Sequence, residues 1–317
     1  MYNASKPFLL KFAYSISSTV LLFVVVGCSS GSVSQEVESP TAWPSETITV
    51  PTETAQPTLT EIPTRIPVTP TPSLGVGSTL ISERDGMTLV YVPAGEFQMG
   101  SENGDDDEKP VHTVYLDAYW IDQTEVTNAM YAQCVAAGVC DEPSSRKSYT
   151  RDSYYDKLEF DDYPVIYVSW EDANNYCGWV GRSLPTEAEW EKAAGWDEGV
   201  QTQRTYPWGS EINDTYANYA QNVGDTTAVG SYEKGKSFYG AYDMVGNVWE
   251  WVSDWHASDY YAYSPLENPL GPESGDYRVL RGGSWYNYGN YLRSADRDRY
   301  DPTDSVNFLG FRCSRSP

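Results

Sequence analysis

Positive charge, histidine and cysteine are all scarce in this sequence. It holds 21 Lys and Arg against 45 Asp and Glu, for a formal net charge of −24. Residues 1–78 carry three basic and five acidic residues, so about −22 falls on the remainder. A surface that acidic repels nucleic acid and anionic lipid heads, which excludes nucleic acid as a partner. It suits cation binding or plain solubility. With two His and no Cys-x-x-Cys, a zinc site has few ligands to draw on. Aromatics, by contrast, are plentiful: 26 Tyr and 11 Trp. Tyr and Trp offer large contact area with a polar tip, the composition of sugar-binding and protein-binding surfaces. They also fill the core of a loop-rich domain.

Lys6 and Lys11 precede an apolar run that ends Val25-Val26-Gly27-Cys28. Basic start, apolar middle and small residue before the cut read as a secretory signal. The run is too short for a stable spanning helix. Its last four residues resemble the bacterial lipobox, which implies that Cys28 is acylated and becomes the mature N-terminus. The lipid is then the one membrane contact expected. Residues 29–78 are dominated by Ser, Thr, Pro and Glu. Such a stretch cannot bury a core and reads as a semi-rigid stalk. The expected location is extracytoplasmic, at the cell surface.

Four cysteines remain after Cys28. An even remainder in an oxidising compartment suggests two disulfides. Cys134 and Cys140 flank a helix end at Gly138 and can pair locally. Cys177 and Cys313 would then close a long loop. Zinc is the competing use of the same residues.

Residues 79–317 read as one domain without a second linker. Strands are expected at 87–92, 95–100 and 111–116. Thr127 is expected to cap a helix ending at Gly138. Ser169 and Thr186 open capping boxes for helices to about Val180 and Ala194. Beyond residue 200, Gly, Asn, Tyr and Trp with short strands give an α+β domain of high irregular content.

Five segments together resemble the formylglycine-generating enzyme (sulfatase-modifying factor) family. They are 92–100 (VPAGEFQMG), 125–128 (EVTN), 184–191 (LPTEAEWE), 245–251 (VGNVWEW), and 281–285 (RGGSW) with 310–312 (GFR). The resemblance implies a C-type-lectin-like fold and a Cys177–Cys313 disulfide. It also implies a site where two cysteines just after Gly-Gly-Ser hold copper for oxidation of a substrate cysteine. Here Asn287 stands where the first would be, and the second is missing too. A carboxamide is no soft ligand for Cu(I), so no copper is expected and no catalytic residue is assigned. The superfamily's sulfoxide synthases need a His-rich iron site, and this chain has only His112 and His256.

The resemblance implies calcium instead, held by Asp243 and Glu250 with the carbonyls of Gly246 and Val248. It places a second ion at Asn218 and the Tyr219 carbonyl, with an acid near Asp225. The acidic run Asp105 to Glu108 reads as a solvated loop.

Residues 285–308 alternate framework positions with a restricted alphabet. The latter includes Tyr286, Asn287, Tyr288, Asn290, Tyr291, Asp296, Asp298, Tyr300, Ser305 and Asn307. Tyr, Asn, Asp, Ser, Gly and Phe are reachable from an AAC codon by changing its adenines. This resembles the variable proteins of diversity-generating retroelements. Tyr for rigid contact area and Ser, Gly and Asn for adaptable hydrogen bonding is also the logic of an antibody's contact surface. The expected function is a surface-displayed lipoprotein that binds a protein or glycan through these residues. Two alternatives stay open: an oxidase or sulfatase-maturation factor with altered chemistry, and a structural lipoprotein of an envelope complex.

Overall fold

Hydroxyl caps start all three α-helices of the computed structural model, which describes residues 74–317. The signal sequence, Cys28 and the stalk up to residue 73 lie outside the described residues. Thr127 Oγ1 accepts from Met130 N at the start of α1 (Asn128–Ala136). Ser169 with Asp172, and Thr186 with Glu189, close full capping boxes at α2 (Trp170–Trp179) and α3 (Glu187–Gly195). Each cap satisfies backbone donors that the first turn leaves open.

Twelve short strands accompany these helices among the described residues. They are β1 (Thr79–Ile81), β2 (Thr88–Val92), β3 (Gly95–Met99), β4 (His112–Leu116), β5 (Tyr119–Asp122) and β6 (Trp196–Asp197). The rest are β7 (Thr202–Gln203), β8 (Trp249–Trp255), β9 (Arg278–Arg281), β10 (Arg297–Tyr300), β11 (Leu309–Phe311) and β12 (Ser314–Arg315). One sheet runs β1-β2-β5-β12 and another runs β10-β9-β8-β11; β3-β4 and β6-β7 pair alone. The mixed, strand-rich and loop-rich α+β architecture is the one expected. Residues 75–78 already turn onto the sheet, since Ser78 O accepts from Tyr91 N at 3.1 Å. Among the described residues, no helix is long and apolar enough to cross a membrane.

Both disulfides form, Cys134–Cys140 and Cys177–Cys313. The second sits in a core with Tyr131, Tyr176, Trp251 and Phe311. It ties α2 to the short link between β11 and β12, and β11 lies parallel to β8. The chain end is therefore fastened by a sheet, a disulfide and Arg312. That arginine is fully buried and paired with Glu250.

Helix α3 fastens the other sheet edge. Glu187 and Glu191 are one turn apart and share a face. Arg281 of β9 reaches both, at 3.3 and 2.6 Å. Arg297 of β10 lies opposite Arg281 in the antiparallel register and grips Glu187 with Nε and Nη2, at 2.7 and 2.8 Å. Two arginines face to face would repel, and the buried carboxylate between them removes that cost. Burial pushes the Glu187 carboxyl up, but Arg297 and Arg281 outweigh it and hold it below its usual range.

Candidate ligand-binding face

The stretch between β9 and β11 starts at two glycines in left-handed conformation, Gly282 (φ 96°) and Gly283 (φ 72°). A Cβ on Gly283 would lie 2.7 Å from the Tyr291 carbonyl oxygen, so no larger residue fits the turn. Asn287 Oδ1 then gathers three donors: Ser284 N at 3.2 Å, Ser284 Oγ at 2.6 Å and Trp249 Nε1 at 3.1 Å. Its backbone carbonyl accepts from Ala220 N. Trp285 is buried, while Tyr286 and Tyr288 are 53% and 65% exposed and Asn290 and Tyr291 are also exposed. Framework and surface positions thus alternate along the stretch.

The remaining expected contact residues divide. Asp298, Tyr300, Ser305 and Asn307 are half-buried. Tyr300 packs edge-on against Phe308, and Ser305 Oγ lies 2.7 Å from Ser144 Oγ. The Asn307 carbonyl accepts from Trp285 Nε1. Asp296 departs from the surface pattern. It is only 3% exposed, and Arg293 takes its carboxylate at 2.9 Å. Burial pushes that carboxyl up to about 7 although Arg293 pulls it down. The acidic run near residue 105 departs as well. Asp105 and Asp106 are exposed, but Glu108 is buried and takes both Arg293 Nη atoms, at 2.5 and 2.6 Å. The run is therefore half loop and half anchor for the stretch above it.

The residues implied for calcium sit beneath this face. Asp243 and Gly246 both have positive φ, and Val248 is fully buried. Asp243 Oδ2 accepts from Gly230 N at 2.6 Å. Glu250 does not fit a metal ligand, because Arg312 takes both its oxygens at 2.7 Å and Trp190 Nε1 adds a third bond. Its charge is already answered. Glu125, outside the implied set, fits better. It is fully buried, and its Oε2 has no hydrogen-bond partner among the described residues. Burial, then Asp243 and Glu250, push its carboxyl well up. One hard cation on Asp243 and Glu125 would relieve that repulsion.

The second implied calcium position keeps one candidate oxygen, Asn218 Oδ1, buried without a hydrogen-bond partner among the described residues, but its acid is engaged elsewhere. Asn218 Nδ2 donates to the Asp225 carbonyl, and the Tyr219 carbonyl accepts from Asn222 N. The Asp225 carboxylate turns the other way, to Ser148, Thr150 and Arg151. A guanidinium supplies the positive charge there.

Residues 79–317 match the family described as the sulfatase-modifying factor enzyme 1-like domain. The chain belongs to this family.

Its sulfatase-modifying-factor domain is 36% identical over 281 residues to the formylglycine-generating enzyme of Streptomyces coelicolor, covering 71% of this chain and 88% of that one. It is 39% identical over 240 residues to the serine/threonine-protein kinase Pkn1 of Chlamydia trachomatis, covering 72% of this chain. The chain spans only 38% of the length of that kinase. Among solved structures, PvdO from Pseudomonas aeruginosa superposes with a TM-score of 0.63 at 26% identity, over 77% of this chain and all of that one. Treponema denticola variable protein 1 gives 0.60 at 25% identity, over 76% and 99%. The family fold and the likeness to a variable protein therefore stand together, as the sequence motifs implied. Three residues of the sulfatase-modifying-factor domain that matter here were not singled out from sequence: Glu125, Tyr149 and Arg151. Glu125 lies in a quoted motif and could have been found there. The other two sit in a loop with no motif.

Proposed function

We propose that this chain is a surface-displayed binding lipoprotein. In this reading Cys28 carries the lipid, residues 29 to about 74 form the stalk, and the domain presents residues 286–307 to a protein or glycan. What supports it most is Asn287. At the position where the resemblance puts a catalytic thiol, a carboxamide is locked as a hydrogen-bond hub between exposed tyrosines. All four cysteines of the described residues are consumed in disulfides. No thiolate pair is left to hold Cu(I), so the face works by contact. The decisive assay incubates the purified protein with a Cys-containing sulfatase peptide, copper and oxygen. The expected product contains no formylglycine; formylglycine in it would overturn the reading.

The diversified version draws support from the alternation of buried framework with exposed Tyr and Asn. The likeness to the Treponema variable protein supports it too. A near-copy of the gene's 3′ end close by, differing only at adenines, would establish it.

Calcium belongs to the same reading, as a structural ion on Asp243 and Glu125. Millimolar calcium is expected to raise the melting temperature, and Asp243→Asn to abolish the increase. An equal increase in the variant would remove the ion from this position.

A further inference from the structure

The tyrosines of residues 286–291 are not alone. Tyr149, from the loop between α1 and α2, is 61% exposed, and its ring lies 5.1 Å from that of Trp285. Trp285 in turn meets Tyr286 edge-on at 5.7 Å. The loop is held in place from both sides of Tyr149. Ser148 Oγ and Thr150 Oγ1 donate to the Asp225 carboxylate at 2.6 and 2.7 Å. Arg151 pairs with the same carboxylate at 3.3 Å and lies over the rings of Phe160 and Tyr163, at 4.7 and 5.1 Å. Tyr149 is thus a fixed ring beside the stretch, contributed by a loop about 140 residues upstream.

Charge around Tyr291 is mostly of one sign. Arg293 and Arg297 are turned inward onto Glu108, Asp296 and Glu187. Tyr291 lines a cavity of about 380 Å³ with Asp105, Asp106, Asp107, Asp296 and Asp298; Arg299 is the one basic side chain there not paired with a carboxylate among the described residues. Asp301 and Asp304 are exposed beyond it.

We infer that Tyr149, Tyr286, Tyr288 and Tyr291 form one docking surface whose occupant is a protein presenting Lys or Arg side chains. This rests on the reading of residues 286–307 as a contact face. Ring faces attract cations. The molecule already uses that attraction internally, holding Arg278 between Trp170 and Trp255 at 3.8 and 3.6 Å. The carboxylates around Tyr291 add an attraction that steers basic partners and weakens with salt. A neutral glycan would use the rings and gain nothing from the charge.

The test selects a random-peptide phage library on the immobilised 317-residue chain, with Tyr286→Ala/Tyr288→Ala as the counter-target. A glycan array is probed in parallel. All substituted positions are exposed, and unchanged melting temperatures will confirm folding. Enriched peptides are expected to be richer in Lys and Arg than the unselected library. Their affinity should fall about tenfold between low and high salt. Tyr149→Ala should weaken them about threefold. Acidic or uncharged peptides that still need Tyr286 and Tyr288 would overturn the basic partner and leave the contact face standing. Glycan binding lost in the tyrosine variant, without peptide enrichment, would also overturn it. No binder of either kind that distinguishes wild type from Tyr286→Ala/Tyr288→Ala would sink the contact face itself.

Discussion

Asn287 accepts three hydrogen bonds through one oxygen, while its neighbours on both sides face solvent. Two residues of the same restricted alphabet therefore carry opposite loads. Asn287→Ala strands the Ser284 and Trp249 donors and is expected to cost about 2–3 kcal/mol. Tyr288→Ala should stay within about 0.5 kcal/mol. Chemical denaturation of both variants checks the contrast; equal losses would mean that Asn287 is no hub. Composition alone marked Asn287 and Asp296 as contact residues together with Tyr286 and Tyr288. Nothing in a residue's type tells an outward carboxylate from one facing Arg293. That distinction comes from Glu108 and Arg293, which are 185 positions apart in the chain.

Among the elements, those with local signals were legible and those with distant partners were not. Thr127, Ser169 and Thr186 announced their helices because a cap and its target lie three residues apart. The strands β2, β3 and β4 were visible from their composition and turns. β5 was not, since all four of its residues are buried and no alternation survives. The parallel β8–β11 pair joins segments about 60 residues apart, which no short window can show. The two disulfides differ in the same respect. Cys134–Cys140 spans a sequence separation of 6 and Cys177–Cys313 one of 136. In the chain-entropy model, replacing the first pair by Ser costs about 2 kcal/mol and the second about 5 kcal/mol. Melting of the two double variants should rank them in that order; the reverse would show that the long link constrains little.

Across the whole molecule the excess of acid sets the response to pH. The net charge of −24 works against compaction, and lowering the pH reduces it. Asp254 adds a local contribution with the same sign. Burial first, and then Glu187, push its carboxyl up to about 7. In the unfolded chain it titrates near 4. Between those values the folded state holds the extra proton, so stability falls as pH rises from about 4 to about 7. In calcium-free buffer the protein is expected to melt higher at pH 5 than at pH 8. Asp254→Asn should flatten that slope, while the part due to net charge persists. A slope unchanged by the variant would assign all of it to the general repulsion.

The fastening beyond residue 308 bears on which gene copies can yield a folded product. Phe311, Arg312 and Cys313 are translated after every codon of the exposed stretch. A slipped reading frame or an early stop anywhere in 285–308 removes all three. Glu250 then keeps only Trp190 Nε1 and loses its guanidinium, and Cys177 is left as an orphan sulfur. Changes that keep the reading frame leave the ending intact, so on the proposed binding reading the fold would select against truncated versions of the contact face.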